Sequence, residues 1–358
     1  MVRLGHLAGL AGLVIGALYL PSEPLADTSG SARNQMLAMM PSTIVPLTSA
    51  IADRLVQNAG IEKPVIKVTA TNDAVARFCE GTGPETPDIV AASRKIWVSE
   101  YDRCVKNGVK DIVAIPIGYS ALVLVSRRDD PGTYSLTTKQ LYESIAAELP
   151  EGDDFHPNRV TKWNKIGPSL PALDINWILP SDHATQGGQF DDLMLQGACR
   201  QIPALKNIFA AEERVRQCTM VRRDGHVQLA GTTYESVLAK ILEAPPGTLA
   251  SMPFRMAKQN EARLKVVALD GVTPTAETIS NRTYPYSYRL YYFVKLAHMK
   301  GPRGDGMVPG IREFITEATR ESAIGPTGYL ADLGLVPMTD TVRAEAREAV
   351  LRLERYER

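Results

Sequence analysis

The sequence lacks an excess of either charge, because 40 lysines and arginines balance 40 aspartates and glutamates among its 358 residues. A balanced chain does not produce the broad positive field with which proteins bind nucleic acids or anionic membrane surfaces. Hydrophobic residues make up 44% and charged residues 22% of the chain, which excludes a disordered or fibrous protein. We therefore predict a globular protein of about two domains, without a nucleic-acid partner.

Metal-binding and catalytic motifs are also lacking. The four cysteines include no C-x-x-C pair, and the histidines are scattered at positions 6, 156, 183, 226 and 298, which argues against a zinc site. No G-x-S-x-G or H-E-x-x-H motif occurs. We expect neither a cofactor nor an enzymatic activity.

Long hydrophobic runs are scarce, and the one at the N-terminus is short. Residues 7–20 follow Arg3 and carry no charge, yet they are fewer than the roughly 20 residues that cross a bilayer comfortably. This pattern predicts a secretory signal over residues 1–26, cleaved after Ala26, and hence a protein that acts outside the cytoplasm. Because Pro24 stands where a cleavage site prefers a small residue, a retained membrane anchor over residues 7–20 stays open as the alternative.

The cysteines fall as two local pairs, separated by 25 and 19 positions. They are Cys79 with Cys104 and Cys199 with Cys218. An exported chain enters an oxidising compartment, where such pairs form disulfides. Four buried thiols are the alternative.

After the signal, strand-like apolar runs alternate with helix-like periodic segments. This is the pattern of an α/β protein with mainly parallel sheets. The first helix is predicted to begin with Ser42 or Thr43 as its N-cap. Residues 111–125 indicate two strands broken near Gly118, and residues 219–222 indicate a short strand.

Short stretches spread over nearly everything after residue 33 carry a family resemblance. They are Ser42-Thr43-Ile44-Val45-Pro46-Leu47-Thr48, Pro87-Asp88-Ile89-Val90-Ala91-Ala92-Ser93-Arg94-Lys95-Ile96, Lys106-Asn107-Gly108-Val109-Lys110-Asp111-Ile112-Val113, Arg223-Asp224-Gly225, Leu269-Asp270-Gly271-Val272 with Pro274-Thr275, and Gly325-Pro326-Thr327-Gly328-Tyr329-Leu330-Ala331-Asp332. In order and spacing they resemble the periplasmic phosphate-binding proteins of ABC transporters, in their proteobacterial form.

The resemblance implies a two-lobed periplasmic binding protein fold, type II-like, with the ligand cleft between the lobes. Residues 33–125 plus 285–358 would form lobe 1, and residues 126–284 would form lobe 2. The two cysteine pairs fall where such proteins carry theirs. The implied function is an extracytoplasmic solute-binding protein that takes phosphate or a related small anion to a membrane permease.

The family holds phosphate through four local motifs, and the first three survive here at least in part. Ser42 and Thr43 remain of the first, although Pro41 replaces a glycine and lacks an N–H group. Thr71 remains of the second, where Asp73 adds a negative charge that could pair with Arg94. The third motif, Ser93-Arg94, is intact. The resemblance thus implies that Ser42, Thr43, Thr71, Ser93 and Arg94 bind the ligand.

The fourth motif is changed at every side chain. The family's Ser-Gly-Thr-Arg aligns with Ala184-Thr185-Gln186-Gly187, so that only a small shift of the helix start would let Thr185 bind. The family's aspartate after the position of Tyr119 is Ser120 in this chain. The family's Ser-Arg-Pro of the late strand aligns with Ser287-Tyr288-Arg289. A charge-assisted hydrogen bond contributes roughly 1.5–3 kcal/mol, so losing three removes about 5–9 kcal/mol, whereas a micromolar complex has only about 8 kcal/mol.

These losses leave two functions open. One is a solute-binding protein with weak affinity for phosphate. The other is a binding-protein fold with a lapsed cleft, which serves as a structural or interaction subunit of a membrane complex. In the first case we expect phosphate to bind no tighter than about millimolar.

Overall fold

The computed structural model of the protein describes residues 33–152, 154–181, 185–208, 210–301, 304–306 and 308–357, without the side chains of residues 185–187 and 304–305. These described residues belong to one compact unit. The predicted signal over residues 1–26 and the alternative anchor over residues 7–20 lie outside the described residues. No helix in the described ranges has the length and apolar character that a membrane span requires.

The strands are short apart from two long ones. They are β1 (Leu37–Met40), β2 (Val65–Val68), β3 (Ile89–Ala92), β4 (Ile112–Arg127), β5 (Ser135–Leu136), β6 (Glu148–Glu151), β7 (Asp154–Pro157), β8 (Asn176–Leu179), β9 (Val227–Leu229), β10 (Thr248–Pro253), β11 (Leu264–Val266), β12 (Ala268–Leu269), β13 (Ser287–Lys295), β14 (Lys300–Gly301) and β15 (Gly304–Asp305).

The helices alternate with the strands. They are α1 (Val45–Ala59), α2 (Thr71–Phe78), α3 (Val98–Lys106), α4 (Thr138–Ile145), α5 (Trp163–Ile166), α6 (Thr185–Phe190), α7 (Gln196–Cys199), α8 (Pro203–Lys206), α9 (Ala211–Thr219), α10 (Tyr234–Glu243), α11 (Phe254–Gln259), α12 (Ala276–Ser280), α13 (Ile311–Glu317), α14 (Glu321–Ile324), α15 (Tyr329–Asp332) and α16 (Asp340–Arg352). A π-helical turn, Asp191–Leu195, joins α6 to α7, and a 3-10 turn, Leu296–His298, follows β13. The predicted α/β class is confirmed.

One large sheet runs through the described chain in the order β2-β1-β3-β13-β4-β10-β8-β9, with β11 also paired to β4. The prediction of mainly parallel sheets is wrong in the middle of this order. The two ends are parallel, through β1 with β2 and β3 and through β8 with β9 and β10, whereas β13 and β4 run antiparallel to their neighbours. The two antiparallel strands join the two parallel ends into one sheet.

Strand β4 is continuous, so the prediction of two strands broken near Gly118 is wrong. The pairing with β13 shifts between Leu290 and Tyr291, which leaves one extra residue, Ile117, in β4. A bulge of this kind kinks a strand without ending it. Gly118 is needed there because a Cβ atom would come within 2.5 Å of the Leu335 side chain.

Two further local predictions are wrong. Helix α1 begins at Val45 and not directly after Thr43, because residues 42–44 form a turn in which the Ile44 N–H group donates to the Pro41 carbonyl at 3.0 Å. Residues 219–222 are not a strand, because α9 extends to Thr219 and Val221 makes only a single bridge, with Ala146.

Both cysteine pairs form the predicted disulfides. Cys79 bonds to Cys104, which ties the end of α2 to α3, with the Cα atoms 4.1 Å apart. Cys199 bonds to Cys218, which ties α7 to α9, with the Cα atoms 5.7 Å apart. The alternative of four buried thiols is therefore excluded.

Candidate functional site

Five of the residues named from the sequence line one small cavity. Its volume is about 100 Å³. Ser42, Thr43, Thr71, Ser93 and Arg94 form one wall. We call this space the anion cavity.

Strand order explains why residues so distant in sequence meet there. Strand β1 lies between β2 and β3 and pairs with both in parallel, so the carboxyl ends of all three lie at one edge of the sheet. Residues 42–43 follow β1, Thr71 follows β2, and residues 93–94 follow β3. The carboxyl edge of a parallel sheet is where α/β proteins bind their ligands.

Hydroxyl groups dominate this wall. The side chains of Thr43, Thr71 and Ser93 are each half-buried, and their hydroxyls have no hydrogen-bond partner among the described residues. Thr71 opens helix α2, whose first N–H groups have no partner within the helix and carry its positive dipole end. This wall can therefore donate several hydrogen bonds to an oxyanion.

Arg94 lines the cavity, but its charge is already partnered. Its two Nη atoms make paired hydrogen bonds of 2.8 Å to the carboxylate of Glu100. Nη1 also donates to the Lys95 carbonyl at 2.9 Å, and Nη2 donates to Asn72 Oδ1 at 2.6 Å. These four bonds use all four Nη hydrogens, so only Nε–H is left to donate to an anion.

The expected contact between Arg94 and Asp73 is absent, and Glu100 takes that place. Asp73 instead accepts a hydrogen bond from the Thr69 hydroxyl at 3.3 Å, on the exposed first turn of α2. Glu100 is buried and also accepts from the Trp97 N–H group at 2.8 Å, which caps α3. The negative charge beside Arg94 thus comes from Glu100, which caps α3, and not from Asp73 of the second family motif.

The opposite wall comes from the segment after residue 187. Gly188, Gln189, Asp192 and Leu193 line the cavity from α6 and the π-helical turn. Thr185 begins α6, but its side chain lies outside the described part of the chain. The described part of this wall therefore begins directly after the four changed positions 184–187.

Asp192 brings a carboxylate into this wall. It is exposed to the cleft, and its Oδ1 accepts a hydrogen bond from Gln196 Nε2 at 3.0 Å. Partial burial between the two walls raises the pKa of Asp192. The positive charge of Arg94 and the hydrogen bond from Gln196 lower it, but their effect is smaller, so the pKa stays above its usual value. A carboxylate repels a fully ionised oxyanion, whereas it can accept a hydrogen bond from one that still carries a proton.

Helical periodicity was the signal that could have found these residues. Positions 185, 188, 189, 192 and 193 are three or four apart and so share one face of a helix. A search confined to the start of the helix misses that face. The sequence alone gave no reason to pair Arg94 with Glu100.

The other positions at which family side chains are missing do not line the cavity. Ser120 pairs with Tyr288 between the central strands β4 and β13. Arg289 donates to the Tyr119 hydroxyl and lines a separate groove beside α16. Neither Ser120 nor Arg289 lines the anion cavity.

Comparisons with known proteins place the chain in a family. The profile of the PBP superfamily domain matches residues 27–322. The chain belongs to the PBP superfamily.

Individual relatives agree with this assignment. The chain is 21% identical to protein SphX of Synechococcus elongatus over 288 residues, 79% of this chain and 74% of SphX. Among solved structures, it resembles a possible phosphate binding protein from Planctomyces limnophilus with a TM-score of 0.61, at 17% identity, over 91% of this chain and 100% of that one.

It also resembles an ABC-type phosphate transport receptor from Vibrio cholerae with a TM-score of 0.57, at 14% identity, over 84% of this chain and 99% of that one. The predicted two-lobed α/β fold is therefore confirmed as the fold of the phosphate-binding proteins of ABC transporters.

Proposed function

We propose that this protein is an extracytoplasmic solute-binding protein that binds phosphate or a related small oxyanion in the anion cavity. The observation that carries the proposal is the meeting of three parallel strand ends, with the hydroxyls of Thr43, Thr71 and Ser93, at one small cavity. Such a cavity has room for a small oxyanion group only, because whole organic ligands occupy sites of about 300–1,000 Å³. The proposal includes no catalytic step.

The lobes proposed for closure are residues 33–125 plus 285–358 and residues 126–284. The change of partners along β4 supports this boundary, since Ile112–Ala121 pair with β13 and Leu122–Val125 pair with β10. The anion cavity has one wall from each proposed lobe. A ligand that contacts both walls stabilises the closed state through the contacts it gains there.

Export to the periplasm is part of the proposal. Two disulfides support it, because such bonds persist in oxidising compartments. The partner proposed for the loaded protein is a membrane permease. The Vibrio cholerae protein, an ABC-type phosphate transport receptor, supports this partner through the fold it shares with the chain.

We expect phosphate to bind only in the millimolar range, which corresponds to about 4 kcal/mol. Arg94 has a single N–H group left to offer, and Asp192 brings a negative charge to the opposite wall. Hydroxyls and helix N–H groups are then the main donors.

The partnered guanidinium of Arg94 and the carboxylate of Asp192 also favour a second candidate function. In such a cavity the arginine is already neutralised by Glu100, and the other wall holds a carboxylate. This is the arrangement expected of a site that no longer binds an anion. The protein would then be a structural or interaction subunit at the membrane. The two functions differ in whether the anion cavity binds phosphate at all.

Calorimetric titration of the full chain with phosphate tests the proposal. We expect weak binding that Thr71→Val reduces, because the substitution removes one hydroxyl from the cavity wall. Thr69→Val is the matched control, since Thr69 hydrogen-bonds to Asp73 and does not line the cavity. No heat of binding at tens of millimolar phosphate, or an equal loss in both variants, would favour the interaction subunit.

A further inference from the structure

A second, larger space adjoins the anion cavity and shares Arg94, Asp192 and Leu193 with it. We call it the outer chamber. We propose that the ligand is an organic phosphate, a phosphomonoester or phosphonate, whose phosphorus oxyanion occupies the anion cavity and whose substituent occupies the outer chamber. This inference rests on the proposed function and names its ligand class.

The sizes of the two spaces carry the first step. The anion cavity holds about 100 Å³ and the outer chamber about 590 Å³. An inorganic oxyanion fills only the smaller space. The outer chamber alone lies within the range of about 300–1,000 Å³ in which proteins bind small organic ligands.

Exposed apolar side chains in the outer chamber carry the second step. Trp97 is 52% exposed and Val215 is 42% exposed, and both line the chamber. The Arg94 guanidinium lies 3.6 Å from the centroid of the Trp97 ring, which orients the ring. A ring held in this way, with much of its surface in water, is a stacking surface for an apolar or planar group.

An exposed arginine carries the third step. Arg200 lines the outer chamber and is exposed. Its guanidinium forms no ion pair or hydrogen bond with another side chain in the ranges that the structure describes. Unlike Arg94, it keeps all its donors for a ligand. A second acidic group on the substituent would meet this cation.

Calorimetric titration of the full chain with inorganic phosphate, methyl phosphate and phenyl phosphate tests the inference. We expect phenyl phosphate to bind about tenfold tighter than inorganic phosphate, the size of one aromatic stacking contact. Methyl phosphate, which barely enters the outer chamber, should bind about as tightly as inorganic phosphate. Addition of a carboxylate, as in 4-carboxyphenyl phosphate, should strengthen binding further, and Arg200→Gln should abolish that gain.

Two variants locate the effect. Trp97→Ala and Val215→Ser should each lower the ratio of phenyl phosphate affinity to phosphate affinity. Val98→Ser is the matched control for Val215→Ser, because Val98 is 59% exposed and does not line the chamber. It should leave that ratio unchanged.

The outcomes separate the two proposals. If inorganic phosphate binds and phenyl phosphate binds no tighter, the inference is wrong and the proposed function stands. If none of the phosphates binds, both are wrong. A preference for phenyl phosphate that Trp97→Ala and Val215→Ser leave intact would place the substituent elsewhere and overturn the inference.

Discussion

Replacing Asp192 by asparagine should change which anion the protein prefers. The substitution keeps the shape of the side chain and its oxygen that accepts from Gln196. It removes the one carboxylate among the residues that line the described anion cavity. Sulfate, which carries no proton at neutral pH, should therefore bind more tightly to Asp192→Asn.

The size of this gain follows from electrostatics. Sulfate carries two charges and Asp192 carries one, so at a separation of about 5 Å in a half-solvated cleft, with an effective dielectric constant of about 40, they repel by about 3.3 kcal/mol. Sulfate should therefore bind about two hundredfold tighter to Asp192→Asn, since about 1.4 kcal/mol corresponds to tenfold. Hydrogen phosphate, also doubly charged, gains the same relief but loses an acceptor for its proton, a bond worth roughly 1.5–3 kcal/mol. Its affinity should therefore change much less than that of sulfate.

Calorimetric titration with both anions at constant ionic strength checks this prediction. Asp73→Asn is the matched control, because it removes the same charge from an exposed position outside the cavity lining. The pH dependence provides a second readout. Because burial raises the pKa of Asp192, sulfate binding to the unmodified protein should strengthen as the pH falls toward that pKa, and Asp192→Asn should not show this rise. Equal gains in both variants, or weaker sulfate binding to Asp192→Asn, would refute the reasoning.

Three further predictions concern neighbouring features. Glu100→Gln should strengthen anion binding in a calorimetric titration, because it keeps the cap of α3 but leaves Arg94 with an unneutralised charge; unchanged affinity would count against a role for that charge. Replacing Cys79 and Cys104 together by alanine should lower the free energy of unfolding in urea by about 3 kcal/mol, because the bond closes a loop over 25 positions. Burial lowers the pKa of Lys295 to about 7 from 10.5. Between these pH values the unfolded chain binds more protons than the folded chain, so the free energy of unfolding should rise with pH there. Urea titrations over this pH range should show a flatter rise for Lys295→Met, and an equal rise in the variant would contradict the prediction.

The part of the site that the sequence predicted is the part that local motifs encode. Ser42, Thr43, Thr71, Ser93 and Arg94 each follow a short parallel strand. Their positions relative to a strand end are set within a few residues of sequence. Parallel pairing of the three strands then brings them together at one edge, so recognition of each motif was enough to predict the shared wall.

The part that the sequence did not predict depends on packing between distant segments. Asp192 belongs to the site because the segment after α6 packs opposite the strand ends, and no local motif encodes that packing. The partner of Arg94 is a cap residue of α3, and a carboxylate that caps a helix gives no sign in the sequence that it also holds an arginine. Both features alter the charge of the site, and so they bear on affinity more than on fold.

The position of bound phosphate tests the proposal most directly, and backbone amide chemical shifts measure it residue by residue. Phosphate added to the isotopically labelled full chain should shift the amide signals of Thr43, Thr71, Ser93 and Gln189 in a saturable way. These residues line both walls of the anion cavity. Saturable shifts confined to the charged groove around Arg352 and Arg355, or no saturable shift at any residue, would contradict the proposal.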